Sequence, residues 1–320
     1  HSVRTGRGRV SVLYVQTVGR HRAAVSVRFQ AQGACAPAPS TKTFSLQPGD
    51  AGYVEIGDAV DDGWHGSAMV EADQPVVVAA EDVHGDSIRL DVSPAAAVGA
   101  PEPAGPRYAS VLLAQDAHTV SAHVVNAGTM TIQPRMTIHD AEGDLEKSPV
   151  EGEPLCPGGS ATLSLPVTPS DPAGGAYLVT VDAVGDGAGA AQLPATIEVA
   201  RPSPLLGAGA LQAYTVAART IPAAAGVAGM APLAVPAAML ALETFGRDIE
   251  LGISLTGDIA GALDYAVLAY DHNGLVGGAC RTIATGHSDV LSIADQPGLP
   301  ANMLGAALIV ATAWHPAPDA

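Results

Sequence analysis

The side chains that could do chemistry are scattered along this chain of 320 residues. Ten histidines occur, but none of them forms an H-E-x-x-H motif. That motif would place two histidines on one helix face as metal ligands. The sequence also contains no G-x-S-x-G turn, no Walker loop and no G-x-G-x-x-G motif after a strand. We therefore predict no catalytic residue, no cofactor and no enzymatic activity.

Two metal sites can nevertheless be considered. Calcium needs six to eight oxygen ligands, and Asp140, Glu142 and Asp144 place three carboxylates in one short segment. That segment lacks the terminal glutamate of a calcium-binding loop, so acidic hairpin turns without metal are the favoured interpretation. A free His1 could bind copper through its amine and imidazole, as the mature N-terminal histidine of lytic polysaccharide monooxygenases does. That resemblance is confined to His1, and our prediction is that no metal is bound.

The cysteines Cys35, Cys156 and Cys280 stand far apart, and none belongs to a C-x-x-C pair. This spacing excludes a zinc site and a dense disulfide framework. Two interpretations stay open: small buried hydrophobic side chains, or thiols that pair between subunits of an exported protein. The chain begins at His1 without a methionine, and we expect that an upstream segment such as a signal peptide has been removed.

Charge is distributed unevenly, although the formal net charge is −17. Residues 1–49 carry seven basic and no acidic side chains, whereas the rest of the chain carries eight basic and 32 acidic ones. Opposite charges at two ends of a molecule favour head-to-tail self-association. The residues that would steer this contact are Arg4, Arg7, Arg9, Arg20 and Arg22. A short basic stretch on an acidic chain disfavours nucleic-acid binding.

One glycine pattern occurs three times. The intervals from Gly33 to Gly66, Gly143 to Gly175 and Gly274 to Gly305 are 33, 32 and 31 residues, and Gly49, Gly158 and Gly286 lie between them. Self-similarity at a fixed period indicates repeated structural units. Proline-rich segments at 93–106 and 201–209 separate three predicted domains, at 1–98, 107–200 and 207–320.

Short apolar or alternating runs bounded by turns predict an all-β protein of three tandem antiparallel sandwiches of the immunoglobulin-like type. The predicted strands are 10–18, 24–29, 51–56, 67–71, 76–80, 120–125, 135–139, 161–165, 177–181, 266–270 and 307–312. No apolar run reaches the roughly 18 to 20 residues that cross a bilayer, so we predict no membrane span.

The number of strands before the first shared strand differs between the copies. The second copy has an additional strand at 109–115, and the third has two candidates at 211–221 and 238–244, whereas the first has only residues 1–9. We therefore expect the first domain to lack a strand and to accept one from another subunit, because an open sheet edge invites strand addition. An apolar segment with Leu211, Tyr214, Val216 and Ile221 is the expected pairing partner.

The run Gly63-Trp64-His65-Gly66-Ser67-Ala68-Met69-Val70, followed by Asp73-Gln74-Pro75-Val76, resembles a motif of repeated β-sandwich domains in large secreted or surface-attached bacterial proteins. The resemblance implies an extracellular and non-catalytic role. Together these features predict a structural subunit of a cell-surface or extracellular filament or layer, with itself as partner. The alternative is a monomeric adhesin or carbohydrate-binding module that binds surface glycans, with Trp64 as its best platform residue.

Overall fold

The computed structural model describes residues 2–6, 9–33, 35, 40–84, 90–94, 104–113, 117–169, 175–185, 188, 191–202, 211–220, 239–243, 250–256, 260–293, 296, 298 and 304–317. These residues form β-strands, with one 3₁₀ turn at Ile56–Asp58. The strand pairings among them are antiparallel. The all-β class is confirmed. No helix in this described part has the length and apolar character that a membrane crossing requires.

The strands fall into three groups, which we call repeats 1, 2 and 3. Repeat 1 contains β1 (Ser2–Gly6), β2 (Arg9–Thr17), β3 (Ala23–Ala31), β4 (Ser40–Leu46), β5 (Ala51–Glu55), β6 (His65–Ala72), β7 (Val76–His84) and β8 (Leu90–Pro94). Repeat 2 contains β9 (Arg107–Leu113), β10 (His118–Val125), β11 (Gln133–His139), β12 (Val150–Glu151), β13 (Ser160–Val167), β14 (Gly175–Val184), β15 (Ala195–Pro202) and β16 (Leu211–Thr220). Repeat 3 contains β17 (Met239–Glu243), β18 (Glu250–Ser254), β19 (Gly261–Asp271), β20 (Gly274–Ala284), β21 (Ser288–Ser292) and β22 (Leu304–Pro316).

Strand order repeats with these groups. The order β4-β3-β6-β1 in repeat 1 recurs as β12-β11-β14-β9 in repeat 2 and as β20-β19-β22-β17 in repeat 3. The second and fifth strands of each group also pair, as β2 with β5, β10 with β13 and β18 with β21. The similarity seen in the sequence therefore corresponds to a repeated topology.

The repeated glycines occupy the same structural position. Gly49, Gly158 and Gly286 have φ angles of +82°, +79° and +84°, and each precedes the fifth strand of its repeat by two residues. This left-handed backbone conformation strains residues that carry a Cβ atom, which explains why glycine recurs there.

Each repeat has its own hydrophobic core, because alternate side chains of its strands point inward. The core of repeat 1 includes Leu13, Val27 and Phe29. The larger core of repeat 2 includes Met136 and Ile197. The core of repeat 3 contains the buried residues Leu251, Leu263, Tyr265, Val267, Ala269, Ile283, Leu291, Ile293 and Ala307.

The predicted missing strand of the first domain is present, so that expectation is wrong. Within its own repeat, β1 pairs with β6 through Ser2–Ser67, Val3–Gly66 and Arg4–His65, and its end pairs with β2. It occupies the place that β9 and β17 take in the other repeats. The basic N-terminal segment thus supplies its own first strand, and exchange through a vacant edge there loses its basis.

The segment assigned to the start of the third domain belongs instead to repeat 2. Residues of β16 pair with β15 along eight positions, from Pro202–Leu211 to Ala195–Ala218, and the end of β16 pairs with β9. The last strand of repeat 1, β8, pairs with β7 in the corresponding place. The expected boundary between residues 200 and 207 therefore cuts through a sheet.

Candidate functional site

The most distinctive site is the contact between repeats 1 and 2, which we call the first junction. A disulfide joins Cys35, which follows β3, to Cys156, which precedes β13, and their Cα atoms lie 5.1 Å apart. The expectation that Cys35 and Cys156 form disulfides between subunits is therefore wrong. The fold brings these two positions, 121 residues apart, into contact within one chain. The bond covalently fastens the two repeats to each other.

Backbone hydrogen bonds lie beside the disulfide. The amide of Gly33 donates to the carbonyl of Ser160 at 3.1 Å, and the amide of Ser160 donates to the carbonyl of Gly33 at 3.2 Å. This reciprocal pair is an antiparallel β-bridge between the two repeats. The first junction therefore fixes the main chains of both repeats, and its geometry does not rest on the disulfide alone.

Asn126 holds the Cys156 side of the first junction in place. Its side chain is fully buried, and Nδ2 donates to the carbonyls of Met130 at 2.7 Å and Leu155 at 2.8 Å. Its Oδ1 accepts the amide of Gly128 at 3.0 Å. A buried amide whose donors and acceptor are all paired rigidifies the loops that it connects.

Histidines meet across the same junction. The rings of His65 in β6 and His123 in β10 lie 6.4 Å apart in an edge-to-face arrangement. The His123 ring is buried, with Nδ1 3.0 Å from Thr162 Oγ1 and Nε2 3.2 Å from the Glu198 carboxylate. Because both ring nitrogens of His123 contact side chains of repeat 2, this histidine is a packing and hydrogen-bonding residue of the junction.

Repeats 2 and 3 meet at a second junction, which is not covalent. Ser254 Oγ donates to Ser110 Oγ at 3.0 Å and lies 2.7 Å from Ser288 Oγ. The amide of Ser288 donates to the carbonyl of Ala141 at 2.9 Å. Main-chain and side-chain hydrogen bonds together align repeat 3 with repeat 2.

The turn considered for calcium lies at this second junction. Asp140 Oδ1 accepts the amides of Glu142 at 3.1 Å and Asp144 at 2.8 Å, which closes the turn without a cation. Gly143 packs directly against Gly286 of repeat 3. Among the described residues no group of three His, Cys, Asp or Glu side chains could hold a metal ion. His1 lies outside the described residues.

Repeat 3 contains a polar cluster of a carboxylate, a hydroxyl and a histidine. Asp264 accepts hydrogen bonds from Thr282 Oγ1 at 2.6 Å and from His315 Nε2 at 2.7 Å. The hydrogen bond from Thr282, and then that from His315, lowers the pKa of the Asp264 carboxyl. In a hydrolytic triad the histidine stands between the hydroxyl and the carboxylate, whereas here the carboxylate stands between them. This cluster therefore lacks the order that activates a hydroxyl nucleophile.

The basic residues predicted to steer association are dispersed over repeat 1, with Arg9 at the start of β2 and Arg20 and Arg22 beyond its end. Arg4 and Arg9 lie in β1 and β2, opposite His65 and His84 in register, and Arg7 lies outside the described residues. Arg20 and Arg22 are exposed after β2, and Arg22 donates to Ser45 Oγ at 2.6 Å. The structure does not gather these arginines into one site.

The predicted pairing segment is already paired. In β16, Leu211, Tyr214 and Val216 stand opposite Pro202, Val199 and Ile197 of β15, and Ile221 lies outside the described residues. This ladder occupies one edge of β16, so the segment is not an unpaired strand waiting for another subunit. Cys280 is a free and exposed cysteine. It stays a predicted intersubunit thiol.

Trp64, the best candidate for a sugar platform, is half-buried. Its ring packs edge-to-face on Phe29 with centroids 6.3 Å apart, and it covers Gly66 closely enough that an added Cβ would lie 2.5 Å from the indole. This explains the Gly-Trp-His-Gly part of the motif by packing. The exposed aromatic side chains of repeat 1 are instead Tyr14 and Tyr53.

Sequence reasoning did not find the two junctions. Their residues follow the repeated turns, since Cys35 stands two residues after Gly33, and Cys156 stands two residues before Gly158. That regularity could have marked both cysteines as turn neighbours, but only the stacking of the repeats shows that these turns meet. Comparison of the chain with protein-family models, curated proteins and solved structures found no match.

Proposed function

We propose that this protein is a non-catalytic structural subunit of an extracellular or cell-surface assembly, either a filament or a layer. Its three repeats would be tandem immunoglobulin-like β-sandwich domains, and its copies would associate head to tail through the basic N-terminal part. The observation that carries the proposal is the Cys35–Cys156 disulfide, which links repeat 1 covalently to repeat 2. Such a bond favours a non-cytoplasmic compartment, because reducing compartments keep thiols free.

The rest of the junction geometry supports a load-bearing role. The Gly33–Ser160 bridge and the Ser110–Ser254 hydrogen bond hold the repeats directly against one another. A chain stacked in this way can transmit force without bending at every linker. The alternative of a monomeric carbohydrate-binding module is less well supported, since Trp64 packs against Phe29.

Association of the full-length chain tests this function. Sedimentation velocity and electron microscopy at increasing protein concentration should show linear or layered oligomers rather than single particles. Because residues 1–49 are basic and the remainder is acidic, oligomers should weaken as NaCl approaches about 1 M, where the Debye length is only about 3 Å. Monomers at every concentration and ionic strength would contradict the proposed function.

A further inference from the structure

The outward side of the second and fifth strands forms a corresponding surface in each repeat, which we call the docking face. The same position on this face is marked by the fourth residue after Gly49, Gly158 or Gly286, together with the residue that pairs with it on the neighbouring strand. These pairs are Tyr14–Tyr53 in repeat 1, His123–Thr162 in repeat 2 and Gly252–Val290 in repeat 3. The repeats can therefore be compared residue by residue.

In repeat 2 the docking face is covered by repeat 1. His123, Ser160 and Thr196 are polar and buried, although strand alternation points them away from the core of their own repeat. The covering groups include His65 and the Gly33 backbone of repeat 1. The preceding repeat thus packs on this face.

In repeat 3 the same face is covered by repeat 2. A Cβ atom added to Gly252 would lie 3.1 Å from both Leu112 and Ser110 side chains, and Ser110 also hydrogen-bonds Ser254. Both junctions share one main-chain contact. Ser160 and Ser288, each two residues after its repeated glycine, donate their amides to the loop that follows the third strand of the preceding repeat.

In repeat 1 the corresponding face is exposed and carries large apolar side chains, with Gln16 and Glu55 beside them. Tyr14 and Tyr53 are 43% and 67% exposed, and Val18 and Val77 are 59% and 56% exposed. Ala51, the counterpart of Ser160 and Ser288, is exposed as well. Monomeric proteins seldom group apolar side chains on one face unless that face binds something.

Repeat 3 carries a loop that corresponds to the loops of repeats 1 and 2 that dock in the junctions. The loops that dock in the two junctions connect the third and fourth strands of repeats 1 and 2. In repeat 3 this connection is the hairpin between β19 and β20, which bears Leu275 at 59% exposure and Val276 at 40%. It therefore has the same topological place as the docking loops, and it exposes two apolar side chains next to its polar turn at 271–274.

We propose that the hairpin of repeat 3 docks on the Tyr14–Tyr53 face of repeat 1 in a second copy of this chain. Each intermolecular contact then continues the stacking rule that the two junctions follow inside one molecule. The proposal rests on the proposed assembly function and names its interface. Copies add in one direction, and the contact surfaces are different at the two ends, so the product is a head-to-tail chain, which closes into a ring only if the rotation between copies allows it.

The distribution of apolar and charged residues supports this pairing. Six of the eight large hydrophobic side chains that are exposed within the described residues lie on these two surfaces, and only Met130 and Leu145 lie elsewhere. Positions 239–317 contain eight acidic and two basic residues, whereas residues 1–49 contain seven basic and no acidic ones. The two ends are complementary in charge as well as in topology.

Capping variants of the full chain test the interface. Tyr14→Glu with Tyr53→Glu blocks the face, and Leu275→Glu with Val276→Glu blocks the hairpin. Each variant alone should be monomeric, with self-association weakened about 100-fold or more, because a buried unpaired carboxylate is costly at an interface. A mixture of the two should form dimers and nothing longer, since one intact face meets one intact hairpin. Met130→Glu is the exposed-residue control and should assemble like the wild type.

The outcomes separate this interface from the assembly function. If either capped variant still forms long oligomers, the interface is elsewhere and the assembly function survives. If the wild type and Met130→Glu stay monomeric, both ideas are overturned. A monomer that binds oligosaccharides on a glycan array through Tyr14 and Tyr53 would assign the face to sugar instead.

A cross-linking experiment checks the alignment independently of charge. Val276 stands two residues after Gly274, as Cys35 follows Gly33, and Gln47 precedes Gly49 as Cys156 precedes Gly158. With Cys280→Ser, the combination of Gln47→Cys and Val276→Cys should give a ladder of disulfide-linked oligomers on non-reducing gels. The control that replaces Gln47→Cys with Met130→Cys should give none. No ladder above this control would contradict the proposed alignment.

Discussion

Gly143 combines two requirements that only glycine meets at once. Its φ angle is +88°, and an added Cβ atom would lie 2.5 Å from the carbonyl oxygen of Gly286 across the second junction. We expect Gly143→Ala to cost about 1 to 2 kcal/mol for the backbone conformation alone. The close contact adds to this, so the second junction should open or shift. Urea unfolding and hydrogen exchange at the Ser288 amide would measure both effects.

A matched control exists in Gly185, which has the same φ of +88° with no atom within 4 Å of the added Cβ. Gly185→Ala should show the conformational cost without any change in exchange at Ser288. Equal losses of stability in the two variants, with equal protection of the Ser288 amide, would contradict a role for Gly143 in the junction.

Individual residues show what could be predicted from the sequence and what could not. The repeated glycines were found because a left-handed turn restricts residue type locally. The disulfide partner of Cys35 was not found, because it depends on how two repeats stack rather than on local sequence. Asp140 was considered for calcium since its carboxylate lies among others, but backbone amides of its own turn satisfy the oxygen. Its neighbour Ala141 serves the junction instead.

Among the strands, most of those that bury apolar side chains coincide with predicted ones, although the core strands β15, β18 and β21 were not predicted. The predicted strands 10–18 and 135–139 correspond to β2 and β11, whose inward residues reach the cores. Strands β4 and β20 were missed, because they lie at the edges of their sheets and expose most of their side chains. An edge strand lacks the strong alternation on which sequence-based prediction depends.

The positions of β1 and β16 show a second limit. Both segments were recognised as distinct from their neighbours, yet β1 was expected to be missing and β16 was assigned to the wrong repeat. Pairing partners of a terminal strand are set by long-range register, and no local pattern encodes whether a strand joins the sheet before or after it. The eight-position ladder between β15 and β16 decides the matter.

A part-buried hydrogen bond connects the two sheets of repeat 3. Tyr265 in β19 is almost completely buried, and its hydroxyl donates to the Asp289 carboxylate of β21 at 2.9 Å. Burial and then the hydrogen bond to Asp289 raise the pKa of Tyr265 well above its ordinary value. We expect Tyr265→Phe to destabilise the protein by about 1 to 3 kcal/mol at neutral pH, since the partly buried Asp289 carboxylate loses its donor.

The raised pKa also predicts a pH dependence with a definite sign. The folded state holds the phenol proton more tightly than the unfolded state, so this stabilisation is complete below the ordinary tyrosine pKa of about 10 and declines above it. Thermal unfolding from pH 8 to 11 should therefore show a steeper loss for the wild type than for Tyr265→Phe. Identical slopes for the wild type and Tyr265→Phe would rule out the effect.

Stacked repeats and a covalent first junction give the chain a direction along which force can travel. Between Cys35 and Cys156 lie most of repeat 1, the segment that connects the repeats, and the first strands of repeat 2. Tension that enters at the N-terminus reaches Cys35 and crosses the disulfide to Cys156. The residues enclosed by the disulfide cannot be extended while the bond is intact, and the reciprocal Gly33–Ser160 bridge lies directly beside it. This arrangement sets a strict limit on the length to which the oxidised chain can be extended.

Single-molecule pulling from the two chain ends would measure that limit. With the cysteines 121 positions apart in sequence and at most about 3.6 Å per extended residue, the oxidised protein should unfold to a contour length roughly 400 Å shorter than the reduced protein. Cys35→Ser with Cys156→Ser should behave as the reduced protein, whereas Cys280→Ser should keep the shorter length because Cys280 is free. Cys35 is exposed, so reductant should reach the bond in the folded state. Equal contour lengths before and after reduction would show that the disulfide does not join the repeats, and the load-bearing interpretation of the first junction would be lost with it.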